Sequence, residues 1–160
     1  MVTQKHQSRS AANARTLSKE FSWLEHVLET RLALHCGEDS SVGSIYELDP
    51  PSLEEETSMY ADFIGHYEME FAERVTVLLA LAPHVYPHVL DLFFAPNESL
   101  RRGYTEFGGI RGEKHGGFLP TGETVLFVLS EGKLDRRFHC ERLFCREHYF
   151  ADRKSTRLNS

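Results

Sequence analysis

The stretch from Arg102 to Leu129, RGYTEFGGIRGEKHGGFLPTGETVLFVL, constrains the fold of this chain more than any other. Seven of the eleven glycines fall within it: Gly103, Gly108, Gly109, Gly112, Gly116, Gly117 and Gly122. Glycine reaches backbone conformations closed to other residues, so this density demands tight turns rather than one continuous element. The cations Arg102, Arg111 and Lys114, with His115, stand among the glycines, and the apolar run Val125–Leu129 follows. Two readings compete. Free N–H groups in a glycine-rich loop leading into a helix can hold an anion. The plainer reading takes the glycines as turn-makers between two packed elements. It is the stronger, because a glycine-rich loop alone is a weak motif. Arg111, Lys114 and His115 are the residues placed to contact an anion or a partner.

The flanking chain reads as helical. Residues 1–14 are polar and are expected to fray. A helix is predicted from about Arg15 to Cys36, with Leu17, Phe21, Leu24, Leu28 and Leu32 on one stripe and Gly37 as its stop. The acidic connector Glu38–Glu56 contains Pro50-Pro51, which excludes a continuous helix. Within it, Ile45–Leu48 is a short strand or a packing anchor. Glu54–Glu56 suits the first turn of the next helix, where carboxylates oppose the positive end of the helix dipole. The strongest helical pattern is Thr57–Ala82, with Gly65 as a point of bending or splitting and Pro83 as its end. Pro87 then opens a short apolar helix over His88–Phe94, predicted to be buried. Pro96-Asn97 turns the chain towards the glycine-rich stretch.

Thr121 is placed to cap a helix from about Gly122 to Glu131, with Glu123 in its first turn. A buried strand is the alternative for Val125–Leu129, but the cap before it and Gly132 after it favour helix. Arg136–Phe144 and Glu147–Phe150 read as a two-stranded hairpin or as a helix followed by a strand. The fold class is therefore mainly α with a small β element.

Several functions are excluded or disfavoured. A net charge of −6 argues against nucleic-acid binding driven by phosphate neutralisation. No apolar run reaches membrane-spanning length, and the polar N-terminus lacks the apolar core of a secretion signal, so the expected compartment is the cytoplasm. Three cysteines without framework spacing agree with a reducing compartment. His139, Cys140, Cys145 and His148 form the most tempting zinc set, but adjacent His139 and Cys140 face opposite ways on a strand, and cysteines packed as small hydrophobes are favoured. His84 and His88 are separated by Pro87, and His35 and Cys36 have no partner ligands nearby in sequence. No metal ligand is assigned. Gly132-Lys133 is followed by Leu134, so no phosphate loop is present, and no serine elbow exists. No catalytic or cofactor-binding residue is assigned.

The segment Asp152–Ser160, DRKSTRLNS, resembles the conceptual translation of a sequencing-library adapter, and it is expected to be an artefact rather than part of the natural protein. On that reading the natural chain continues past Ala151. The segment carries Arg153, Lys154 and Arg157 against Asp152, which leaves residues 1–151 at −8.

The motif FGG-x-x-G-x-x-H-G-G-F-L-P-T-G-E-T, preceded by FAERVTVLLALAPHVYPHVLDLFF and followed by LDRRF and HYF, resembles the winged-helix-like region that precedes the ATPase core of certain bacterial AAA+ ATPases. These are known as ATP-binding proteins, and some are associated with contractile injection systems. The resemblance covers about Thr57 to Phe150. It implies a winged-helix-like domain at 51–151, preceded by a polar N-terminus, helix and linker at 1–50. A terminal hairpin would form the wing. It implies a non-catalytic regulatory or partner-binding role, with ATP and Mg bound by a missing downstream module and oligomers formed through that module. A protein partner or the chain's own ATPase module is the expected contact, and nucleic acid is not. The rivals are a DNA-binding winged-helix regulator and a stand-alone enzyme with an anion site at Gly108–Thr121.

Overall fold

A computed structural model describes residues 2–99, 101–111 and 116–152, with the backbone alone at 2–7 and 151–152. The described residues are mainly helical, with two small antiparallel sheets. Two compact units divide between Val89 and Leu90.

The first unit is built on α1, Val2–Cys36. This helix begins well before Arg15, because Val2–Ala14 contains no glycine or proline and carries the strong helix formers Ala11, Ala12 and Ala14. Ala12 is buried and the Asn13 side chain accepts from the Tyr60 N–H at 2.9 Å, which ties this segment to the rest of the unit. Phe21, Leu24, Val27 and Leu28 are the buried stripe. Gly37, at φ 70°, stops the helix. The Glu38 N–H donates to the Ala33 carbonyl and the Gly37 N–H to that of Leu34, the two bonds of a Schellman cap.

The connector is a strap pinned to the helices. Ile45 opens a 3-10 turn, Ile45–Glu47, and is fully buried, which is the packing-anchor reading and not the strand. Trp23 Nε1 donates to the Leu48 carbonyl at 2.9 Å. Glu56 does not serve a helix dipole: Lys19 Nζ donates to it at 2.5 Å and Thr16 Oγ1 at 3.0 Å. These two hydrogen bonds hold its carboxyl below the usual carboxylate range. Ser58 takes the cap position instead, its side chain accepting from the Ala61 N–H at 3.1 Å.

The long helical pattern splits into α2, Met59–His66, and α3, Phe71–Val85. The break lies at Glu68, in the left-handed region at φ 49°, rather than at Gly65. Here too the closing bonds are those of a Schellman cap, Met69 N–H to Ile64 carbonyl and Glu68 N–H to Gly65 carbonyl, and Met69 is buried. Pro83 does not end α3. In the last turn it removes a single intrahelical donor, and the helix closes with the Tyr86 N–H on the Ala82 carbonyl.

A buried charged network joins these helices. Glu20 on α1 is wholly buried and Arg74 on α3 is nearly so. Arg74 donates to both Glu20 carboxylate oxygens, and its Nη2 also donates to the Pro51 carbonyl at 2.8 Å. Tyr60 Oη on α2 donates to Glu20 at 2.7 Å. Burial and the adjacent carboxylate push the Tyr60 phenol far above its usual range, so it remains a donor. The Arg74 guanidinium also lies over the Trp23 ring, 5.6 Å from its centroid.

The second unit begins within the 3-10 helix Pro87–Phe94. Leu90 and Phe93 are buried but Asp91 is exposed, so the segment is half-buried rather than wholly so. Strand β1, Pro96–Asn97, pairs antiparallel with β2, Arg102–Gly103. After a 3-10 turn at Thr105–Phe107, β3, Ile110–Arg111, pairs antiparallel with β4, Phe118–Leu119. Helix α4, Gly122–Ser130, follows, and every residue from Thr124 to Ser130 is buried. The C-terminal segment contains neither the hairpin nor the strand. It forms α5, Leu134–Cys140, a 3-10 turn at Glu141–Phe144, and α6, Tyr149–Asp152. Cys140 and Leu143, three apart, are its buried pair, a helical spacing that alternation on a strand does not satisfy.

Removing one partner of the buried pair strands the other charge. Glu20→Ala or Arg74→Ala should each cost about 3–5 kcal/mol in urea unfolding, while Glu20→Leu with Arg74→Met should cost clearly less than the two singles combined. Acid unfolding reads the Glu56 bridge. Its folded value is the lower one, so its contribution is complete above pH about 4.5 and is lost as pH falls through the folded value. Glu56→Gln should flatten that part of the acid limb.

Candidate functional site

The hairpin β3–β4 and the start of α4 hold what the glycine-rich stretch singled out. Two glycines set the approach. Gly108 and Gly109 lie in the left-handed region, at φ 59° and 78°. A Cβ at Gly109 would stand 2.2 Å from the Phe118 ring, and one at Gly108 would stand 2.6 Å from Glu123 Cβ. Backbone therefore packs directly on a ring and on the first turn of α4, which a side chain would prevent. The Gly109 N–H donates to Thr121 Oγ1 at 3.1 Å. Thr121 is the N-cap, and its own N–H donates to Thr124 Oγ1 at 3.0 Å, the reciprocal arm of a capping box. Thr121 thus clamps the turn to the helix it caps.

Below this clamp is an aromatic cluster. Phe118 stacks on Phe93 at 4.9 Å and meets Phe94 edge-on at 5.9 Å, while Phe107 packs against Phe93 and Phe127. The Arg111 guanidinium sits over the Phe94 ring, 5.0 Å from its centroid. Arg111 is exposed, so its cation–π contact orients a solvent-facing guanidinium. Lys114 and His115, read with Arg111 as an anion or partner contact, lie outside the described residues.

The tempting metal set is not assembled. His139 is exposed at the end of α5 while Cys140 is buried. Cys145 is exposed and its Sγ lies 3.7 Å from the Glu141 carbonyl. His148 Nδ1 accepts from the Phe150 N–H at 3.2 Å. Among the described residues no three His, Cys, Asp or Glu side chains gather to hold a metal ion. Glu131 and Gly132, both in the left-handed region, turn the chain from α4 into α5, with the Lys133 N–H on the Ser130 carbonyl.

Two features escaped the sequence reading. One is the Glu20–Arg74–Tyr60 network. Its signal was present, since Glu20 lies three residues from Leu17 and four from Leu24 on the apolar stripe, and Arg74 lies between Phe71 and Leu78 on another. The other is an exposed apolar pair on α5, Leu134 at 68% and Phe138 at 64% exposure, one turn apart. The flanking charges of that segment masked it.

Compared with known protein families, curated proteins and solved structures, the chain matches none of them. Among the described residues no single helix is long and apolar enough to cross a membrane.

Gly109→Ala should destabilise the second unit by about 2 kcal/mol or more, because strain at positive φ adds to a clash with a packed ring. Gly103→Ala, with open space around its Cβ position and no positive φ, should stay within about 0.5 kcal/mol. Urea midpoints followed by near-ultraviolet circular dichroism compare the two.

Proposed function

We propose that the chain is a non-catalytic regulatory or partner-binding domain preceding the core of a bacterial AAA+ ATPase. The observation that carries this reading is the FGG…HGGFLPTGET resemblance. Its residues Gly108, Gly109, Phe118 and Thr121 are committed to locking a hairpin onto a buried helix, so the motif serves architecture. In the winged-helix-like reading, β3–β4 is the β element, since the C-terminal segment is helical. The exposed pair Leu134 and Phe138 supports a partner-binding role, because large apolar side chains one turn apart suit a protein contact. The sequence holds no phosphate-loop pattern for ATP and Mg. Gly132-Lys133 closes a helix–helix turn, and no Ser or Thr follows the lysine to meet a metal. Nucleotide binding and oligomerisation through the core would belong to a downstream module.

A DNA-binding winged helix is the weaker reading. Helix α4, the segment that would enter a groove, is buried from Thr124 to Ser130 and leaves no face for base edges. Arg111 and Lys114 would then have to supply phosphate contacts alone. Arg111→Ala with Lys114→Ala should leave DNA retention at low salt unchanged; a salt-dependent loss would favour the DNA reading.

The coding sequence beyond codon 150, determined from an independent clone, tests the proposal. A phosphate loop downstream and ATP turnover by the longer protein, with none by the 160-residue chain, is the expected result. A downstream sequence without a phosphate loop would falsify it.

A further inference from the structure

Exposed large apolar side chains are scattered over most of the described residues. Tyr46, Met59, Val85 and Ile110 stand on four separate elements. The C-terminal helical segment differs, because Leu134, Phe138 and Phe144 are all exposed there. Single exposed apolar residues are ordinary, whereas a row of them marks a contact surface. Helix α5 and the 3-10 turn that continues it run without a break from Leu134 to Phe144. Successive residues advance by about 100° in an α-helix and about 120° in a 3-10 helix. On that geometry Leu134, Phe138 and Phe144 share one side of the segment, and the buried pair Cys140 and Leu143 faces away from it. A Cβ at Gly122 would stand 3.8 Å from the Phe144 ring, so that ring lies beside the start of α4 and still remains 46% exposed.

The charges along this row have a pattern of their own. Asp135 and Arg142 flank it on the same side, seven residues or about two turns apart. Both are exposed, and neither forms an ion pair among the described residues. They stand about 11 Å apart along the axis, too far to pair with each other. The other flank is already neutralised within the chain, since Arg137 donates to Glu123 at 2.7 Å and lies 4.0 Å from Glu141.

We propose that this outer face of α5 is a two-fold joint between copies of the chain. Laid antiparallel on a second copy, the segment brings Phe138 against Phe138 of that copy, close to the two-fold axis. Leu134 meets Phe144 of the second copy on either side of the axis. Asp135 meets Arg142 of the second copy twice along one rim. The rim selects a second copy over an unrelated partner: opposite charges unpaired at home, two turns apart, complement themselves when the direction is reversed. Such a contact is isologous and closes at two copies. The row is small beside the roughly 1,200–2,000 Å² of a standard interface, so the dimer is weak and forms at high concentration. Leu134 and Phe138 gain this partner whether or not an ATPase module follows the chain.

Sedimentation equilibrium of the full 160-residue chain, carried to about millimolar concentration, tests this. Mass should rise with concentration and level off at twice the 18.4 kDa monomer. Phe138→Ser, at an exposed position that the fold does not use, should weaken association at least about tenfold. Asp135→Arg and Arg142→Asp each set like charges against each other across the joint, and each should stay monomeric over the same range. Mixing these two variants restores opposite charges at both pairs and should give a one-to-one complex. Both substitutions in one chain should restore the dimer. A wild-type chain that stays monomeric or grows past two copies overturns the proposal. So does association insensitive to the single substitutions, or a mixture that stays monomeric.

Discussion

The first unit depends on one buried ion pair. Glu20 and Arg74 lie on different helices, and each would be an intolerable buried charge without the other. Their geometry satisfies more than each other: Tyr60 brings α2 to the same carboxylate, and the Pro51 carbonyl brings in the connector. A low-dielectric environment strengthens each of these bonds and penalises any that is broken. The apolar stripes of three helices admit several registers. The polar centre admits one, because a slip of a single turn would leave a carboxylate or a guanidinium buried and alone.

The second unit solves a different problem. Its helix α4 is too apolar to carry a solvent-facing side, and it is closed in by a hairpin, by the 3-10 turn at Thr105–Phe107 and by α5. The chain entering the hairpin reaches it because Gly108 lets the backbone lie against Glu123 Cβ in the first turn of α4. Thr121 then acts twice, as the cap of the helix and as the acceptor for that backbone. Ion pairs from Arg136 to Glu131 and from Arg137 to Glu123 tie α5 to the two ends of α4. Both are at least partly solvent-exposed, so they orient α5 while the buried apolar face supplies the stability.

Much of this was legible. The α1 stripe from Phe21 to Leu28, the stop at Gly37, the anchor at Ile45 and the Thr121 cap follow from spacing and local backbone chemistry, which act over a few residues. The failures lie where distant groups compete. Glu56 looked like a helix-start carboxylate, but Lys19 and Thr16 on α1 claimed it and Ser58 took the cap. Pro83 looked like a terminus, but at the last turn its cost is one hydrogen bond. Of the two readings of Arg136–Phe144 the helix holds and the hairpin does not, because Cys140 and Leu143 bury their side chains at helical spacing.

The sequence by itself determined the stop at Gly37, the turns of the glycine-rich stretch and the helix after Thr121, because glycine, capping residues and the spacing of apolar residues act locally. It also determined the absence of a phosphate loop. Only the tertiary structure decided that a glutamate and an arginine 54 positions apart are partners. It decided equally that Arg111 rests on Phe94 and that Leu134 and Phe138 face outward. The reason is common to all of these: the stability of a buried charge, or the exposure of an apolar side chain, depends on what another part of the chain brings to it.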